Sequence, residues 1–301
     1  MIQLTTDITK AKFITHKGTM HADEVFSTAF LELLYDDIVL MRTTEEQLSK
    51  RSEDSLVFDI GKGKFDHHQL DAKVRENGIK YASFGLLFQA FGKQLLQKLQ
   101  IHLVDDVFDY MDRDFVLAID AIDNGVFPNI QAEYHVKTVS DIIKLFNCSK
   151  TEAEENQQFL LAEAVAKTIL QAEIKSINAK MEAKKEVEKL MATQKGPVLV
   201  LPYFMPYEET LLTLDKEKQF LFVVFPSNRG GYAAKAVPNS LSDHSNRLLF
   251  CSKWAGLSDK VLEEASGVGG AKFCHTNRFL VTADTKEAVF ALIQKTLEEK
   301  S

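Results

Sequence analysis

The sequence predicts an α/β protein: an N-terminal, mostly parallel sheet flanked by helices, a long helical connector, and a smaller C-terminal α/β domain. Three observations carry this reading. Short apolar runs alternate with helix-spaced apolar residues through the first part of the chain, the pattern of a parallel sheet crossed by helices. Residues 151–193 are rich in Glu, Lys, Ala and Gln and contain neither Gly nor Pro. Gly196-Pro197 then breaks the helical pattern, and strand-like runs resume. A chain of 301 residues exceeds most single cores, so the sequence divides into 1–150, 151–195 and 196–301.

Taken in order, residues 12–16 read as a strand, and 22–35 as a helix with Val25, Phe26, Ala29, Phe30, Leu33 and Leu34 on one side. Residues 37–42 and 55–61 read as further strands. The polar stretch 69–80 ends in Asn77-Gly78, a turn signal, and reads as a loop. Residues 81–99 and 104–122 are helical, the second stopped by Asn124-Gly125. The stripe along 151–193 (Phe159, Ala166, Ile169, Leu170, Ile174, Ile177, Met181) lacks a strict heptad. It fits a connector better than a coiled-coil seam, although a homodimer stays open. Strands follow at 198–201, 220–225, 231–237, 271–275 and 278–282, with helices at 207–214 and 285–298.

Composition excludes several classes. No window approaches the roughly 20 apolar residues that span a bilayer, so no membrane partner is expected. Residues 1–10 have no apolar core and include Asp7, unlike a signal or transit peptide. Cys148, Cys251 and Cys274 form no Cys-x-x-Cys and read as reduced thiols. A cytoplasmic location follows as the expectation. The net charge of −7 argues against a general polyanion-binding surface. Residues 196–301 are balanced, with 12 Lys+Arg and 12 Asp+Glu, so the negative excess lies in 1–195. Between Phe225 and Arg278 the balance is positive, and Arg229, Lys235, Arg247, His275 and Arg278 are candidate phosphate or base contacts.

The chemistry is concentrated earlier. His16 closes the first strand, His21-x-Asp23 opens the helix after it, and Asp59 closes the run 55–59. Asp66-His67-His68 follows, then Asp120 and Asp123. Each group alone has a bland reading: an edge histidine, a helix cap, a turn cap. The adjacent histidines after an acid have no packing reason. Strand ends in an open α/β sheet face one crevice, so the ordered series reads as a shared metal site. Imidazole and carboxylate without thiolate suit Mn²⁺, Fe²⁺, Co²⁺ or Zn²⁺.

The stretches Thr15-His16-Lys17-Gly18-Thr19-Met20-His21-Ala22-Asp23-Glu24, Phe58-Asp59-Ile60-Gly61, Phe65-Asp66-His67-His68-Gln69 and Ile119-Asp120-Ala121-Ile122-Asp123-Asn124-Gly125 resemble the DHH phosphoesterase superfamily. Within it they look most like the MYG exonuclease family. Trp254-Ala255-Gly256-Leu257 and the Gly-rich run 267–275 extend the resemblance over essentially the whole chain. It implies a DHH-type catalytic domain at 1–150 and a substrate-binding domain at 196–301. Two divalent ions, Mn²⁺ first and Mg²⁺ also compatible, would share a hydroxide nucleophile. Asp59 would bridge them; His16 and His21 would complete one, and Asp23, His67 and Asp123 the other. Asp66 would hold a histidine ring, His68 would face the phosphate, and Asp120 would support Asp123. Gly269 and Gly270 would offer backbone N–H groups to substrate. The superfamily usually has Asp where His21 stands, so whether His21 binds metal is open.

The expected activity is exonucleolytic cleavage of short single-stranded RNA or DNA, 3′ to 5′. Two other readings compete: a small-molecule phosphohydrolase acting on a dinucleotide, nucleoside phosphate or pyrophosphate, and a metal-stabilised nucleic-acid or partner-binding protein with little turnover.

Overall fold

Four short runs near the N-terminus pair as one parallel sheet in the computed structural model, which describes residues 2–243 and 245–300. They are β1 (Ile2–Leu4), β2 (Phe13–His16), β3 (Ile38–Thr43) and β4 (Leu56–Val57), ordered β1-β3-β2-β4. The sequence reading gave no strand to β1; three half-exposed residues pairing only with β3 show no periodicity. β4 is shorter than the run 55–61 suggested. Asp59 takes φ 56° and leaves extended geometry two residues past its end. The register pairs Phe13 with Leu56 and Ile14 with Val57, so His16 and Asp59 leave the sheet side by side.

Helices cover this sheet. α1 (Ala22–Leu34) links β2 to β3, and α2 (Ser83–Lys98) packs beside it. The expected single helix 104–122 is α3 (Val104–Met111), a π turn at Asp112–Val116, and α4 (Leu117–Asp123). Phenylalanine fills the space between them. Phe26, Phe84 and Phe115 meet edge to face or tilted, and Phe88 stacks on Phe108 at 4.9 Å. α5 (Val139–Lys144) was not anticipated; six residues hold too little periodicity to read.

α6 (Glu152–Thr193) is one helix of 42 residues, about 63 Å long at 1.5 Å per residue. The chain has two compact units, Met1–Asn178 and Ala179–Ser301, so α6 contributes to both. In the first, Phe159, Ala162, Ala166 and Leu170 are fully buried. In the second, Ala183 and Val187 join a core with Leu199, Leu201 and Val223.

The second unit adds β5 (Val198–Val200), α7 (Glu208–Leu214), β6 (Phe222–Pro226), β7 (Tyr232–Ala236), α8 (Asp259–Ser266), β8 (Ala271–Cys274), β9 (Leu280–Ala283) and α9 (Lys286–Lys300). Its sheet runs β5-β6-β7-β9-β8, with β5 and β6 parallel and the other pairs antiparallel. Trp254 lies in its core, and all three cysteines are free thiols. Among the described residues no helix is long and apolar enough to cross a membrane.

One buried group on α6 makes stability depend on pH. Glu163 is 4% exposed, and its Oε1 has no hydrogen-bond partner. Burial, then the hydrogen bond and charge of Glu32, push its carboxyl up to about 8. The folded protein therefore keeps a proton that an unfolded glutamate, with its ordinary value near 4.5, has released. The stability contribution is present at low pH and is lost as pH rises from about 4.5 to 8. Glu163→Gln is expected to match the parent Tm near pH 5 and exceed it by a few degrees at pH 8, on the order of 2 kcal/mol. Thermal denaturation at both pH values checks this; an equal difference at both would mean that Glu163 is ionised in the fold.

Candidate metal centre

His16 ends β2, and the loop after it is clamped. The Gly18 N–H donates to Glu155 at 2.7 Å, and Met20 exchanges hydrogen bonds with Asn147, both at 2.8 Å. Arg42 donates to the Gly18 carbonyl and lies 4.4 Å from the centre of the Phe159 ring. The backbone from His16 to His21 is thus fixed from both sides. His21 is the N-cap of α1, and its N–H donates to both oxygens of Glu24 at 2.8 and 3.0 Å.

Asp59 is nearly buried, with its side chain 2% exposed. Its Oδ2 lies 3.1 Å from His16 Nε2, and its Oδ1 lies 3.2 Å from His67 Nε2. Asp66 organises the next turn. It accepts the N–H of Lys62 at 2.6 Å, the N–H of His68 at 3.1 Å, and lies 2.7 Å from His68 Nδ1. His67 is turned inward and His68 outward, its side chain 60% exposed. His67 Nε2 is also 3.2 Å from Asp123 and 3.8 Å from Asp23.

The N-terminus of α2 is held by two of the predicted acids. Asp23 accepts the Ser83 N–H at 3.3 Å, and Asp120 accepts the Gly85 N–H at 3.0 Å. The carboxylates complement the positive end of the helix. Asp120 is fully buried, pairs with Arg75, and lies outside the metal-sized clusters found among the described residues. A Cβ on Gly85 would sit 1.9 Å from its Oδ2, so glycine is required where α2 crosses α4. Asp123 closes α4 and belongs to a cluster with His21 and Asp23.

The remaining clusters are His16, His21 and Glu24; Asp59, His67 and His68; and Asp23, Glu24 and Asp59. Glu24 was missed from sequence. It follows Asp23 directly and sits three residues from the N-cap, where a glutamate reads as an ordinary capping partner. Here it is fully buried with Oε1 3.4 Å from His16 Nε2. Its burial against His16 was not visible in one dimension.

Three buried atoms test whether a cation fits: Asp23 Oδ1, Asp59 Oδ1 and His67 Nε2. None has a hydrogen-bond partner, although His67 Nε2 has carboxylate oxygens at 3.2 Å on two residues. Lone pairs converge without proton geometry between them, as metal ligands do. The electrostatics agree. Burial and the charges of Asp59 and Asp123 drive the Asp23 carboxyl well above the ordinary range. Burial lifts Glu24 to about 7 despite His16. Burial opposes charge on His16, but its hydrogen bond to Asp59 and the Glu24 charge hold it up at about 9. The cluster demands positive charge, which protons or divalent cations can supply. These residues fit a bound metal ion.

The candidate contacts in the second unit have varied surroundings. The Arg247 side chain is 4% exposed and donates to Asp215 and the Phe220 carbonyl; Lys235 pairs with Glu208. Gly267 is the left-handed cap of α8, and the Gly270 N–H donates to Glu263 at 2.6 Å. His275 Nδ1 accepts the Asn277 N–H and its ring lies 4.4 Å from Phe279. Arg278 is half-buried with φ 59°, and Arg229 is exposed.

Fold and site together define a two-unit α/β protein with a histidine–carboxylate cluster that could hold metal at the ends of a parallel sheet. The sequence profile MYG1_exonuc, described as uncharacterised protein family UPF0160, matches residues 12–297, and the chain belongs to that family. The MYG1 protein of Dictyostelium discoideum is 27% identical, covering 95% of this chain and 96% of the relative. The MYG1 exonuclease of Mus musculus is 26% identical, covering 95% and 84%. A solved pGpG-specific phosphodiesterase, PggH from Vibrio cholrae, covers 97% of this chain at 11% identity with a TM-score of 0.33, too loose a likeness to bear on mechanism.

Proposed function

We propose that this protein is a divalent-metal-dependent phosphodiesterase that removes nucleotides from short single-stranded RNA or DNA, working from the 3′ end. The single observation that carries the reading is Asp59, which turns one carboxylate oxygen to His16 and the other to His67. The mouse relative is named an exonuclease, which supports the coarser part of this reading. His16, His21, Glu24 and Asp59 would hold one ion; Asp23, His67, Asp123 and Asp59 the other. Two such ions, Mn²⁺ by the mixed nitrogen and oxygen donors, would activate water and neutralise the phosphoryl oxygens.

The remaining roles belong to protein groups. Asp66 fixes the His68 ring through Nδ1, leaving Nε2 for a phosphate oxygen or the leaving oxygen. Clamping of residues 17–21 keeps both histidines in place, so little reorganisation accompanies the reaction. Arg229, His275 and Arg278 are proposed as further substrate contacts in the second unit. Purified protein is expected to hold about two divalent ions per chain and to cleave a labelled oligonucleotide with Mn²⁺. Elemental analysis and a panel of RNA, DNA, dinucleotide and pyrophosphate check this. One zinc per chain, with no response to Mn²⁺, would remove the two-ion mechanism; cleavage of pyrophosphate alone would remove the nuclease reading.

A further inference from the structure

The cavity that contains the metal-binding side chains extends beyond them. It has a volume of about 540 Å³, within the range of roughly 300–1,000 Å³ typical of small-molecule sites. Beside His21, Asp59, His67 and Asp123 it is lined by Leu70, Lys80, Phe127, Ser140 and Lys144, all in the first unit. None of these five is needed to hold a metal.

Their state is unusual for surface residues. Leu70 is 104% exposed and Phe127 68% exposed, large apolar side chains at the mouth of a polar site. Ser140 is 3% exposed, and its buried Oγ has no hydrogen-bond partner. A buried hydroxyl without a partner carries a desolvation cost that a ligand acceptor would offset. Lys80 and Lys144 are exposed, and neither forms an ion pair among the described residues; the Lys144 charge acts on the Asp141 carboxylate of its own helix. The position of Lys80 is set, because its carbonyl accepts Asn124 Nδ2 at 3.2 Å, directly beside Asp123.

Side chains of metal-ligand type, two lysines, an orphan hydroxyl and an exposed aromatic ring in one cavity match the parts of one nucleotide. We infer that this rim binds the terminal nucleoside monophosphate unit of the substrate, with Phe127 against the base and Lys80, Lys144 and Ser140 against phosphate or ribose oxygens. The inference rests on the phosphodiesterase reading and deepens it. It places recognition of the strand end inside the catalytic unit, where the sequence reading placed it only at 196–301. A base on an aromatic face is recognised without regard to its identity, since every base has a π-face.

Calorimetric titration of manganese-loaded protein with adenosine 5′-monophosphate and with inorganic phosphate tests it. The parent protein is expected to bind the nucleotide at least about 10-fold more tightly than phosphate. Phe127→Ala is expected to remove about 10-fold of nucleotide affinity, with the loss falling on the nucleotide and not on phosphate. Lys144→Gln and Lys80→Gln are expected to cost about 2–5-fold each, a difference that fades at high salt. A parent protein that binds both ligands equally, or a Phe127→Ala variant that keeps the full preference, overturns the inference. Parent turnover of oligonucleotides alongside either result leaves the phosphodiesterase reading standing. Nucleotide selectivity without any turnover would overturn that reading and leave a nucleotide-binding pocket.

Discussion

Asp59→Asn is expected to lower phosphodiester turnover on the order of 10³-fold or more while the protein stays folded. The carboxylate supplies one oxygen to each histidine group, and an amide can offer only one acceptor. The nitrogen that replaces the other oxygen would face a cation. Asparagine is the right substitute because φ at this position is 56°, a left-handed conformation that Asn adopts readily. Alanine there would add backbone strain of about 1 kcal/mol and confuse the comparison. In the apo fold the loss of charge contact with His16 and His67 is partly offset, since Asp59 also repels Asp23 and Glu24. Circular dichroism should therefore match the parent while bound metal falls below two per chain. Near-normal turnover in a folded, metal-supplied variant would reduce Asp59 to a turn residue.

The clustering of histidines and carboxylates was readable because its parts are local and carry unusual chemistry. Short apolar runs ending in His16 and Asp59 announce both a strand and a side chain of metal-ligand type, and the Asp66-His67-His68 triplet has no packing use. What stayed hidden depends on contacts between distant residues. Glu24 looks like a helix cap until its burial against His16 is known. The rim around Phe127 lies in a stretch with no periodicity, so only the folded chain brings it to Lys80. The pairing of Arg247 with Asp215 was equally hidden: a lysine or arginine count cannot tell a free cation from a paired one. β1 and α5 were missed for a simpler reason. Elements of three and six residues are shorter than the windows over which periodicity can be read.

Arg75 is the largest such omission, and replacing it is expected to have the greatest effect on stability. It lies in the stretch 69–80 that reads from sequence as a polar loop. In the fold its side chain is 7% exposed. One nitrogen donates to both oxygens of Asp112 at 2.7 Å, the other donates to Asp120, and the guanidinium lies 3.9 Å from the centre of the Tyr81 ring. One planar fork thus ties the loop to the π turn and to α4. Burial already lifts the Asp120 carboxyl to about 7 against the pull of Arg75, so Arg75→Ala would force this fully buried group to take up a proton and would break a buried pair, a loss that typically costs 3–5 kcal/mol. Arg75→Lys should recover only part of this, because a single ammonium cannot span both acids as the fork does. The double variant Arg75→Met with Asp120→Asn removes the charge along with its partner and is expected to regain most of the stability. It should not regain full metal affinity. Asp120 and Asp123 share one helix, and the loop ends at Lys80, so loosening either displaces Asp123 from His67. Loss of such supporting contacts commonly weakens metal binding by about 10–100-fold. Urea denaturation and manganese titration of the three variants separate the two effects. An Arg75→Ala protein within about 1 kcal/mol of the parent would show that water enters the site and that the fork only decorates it.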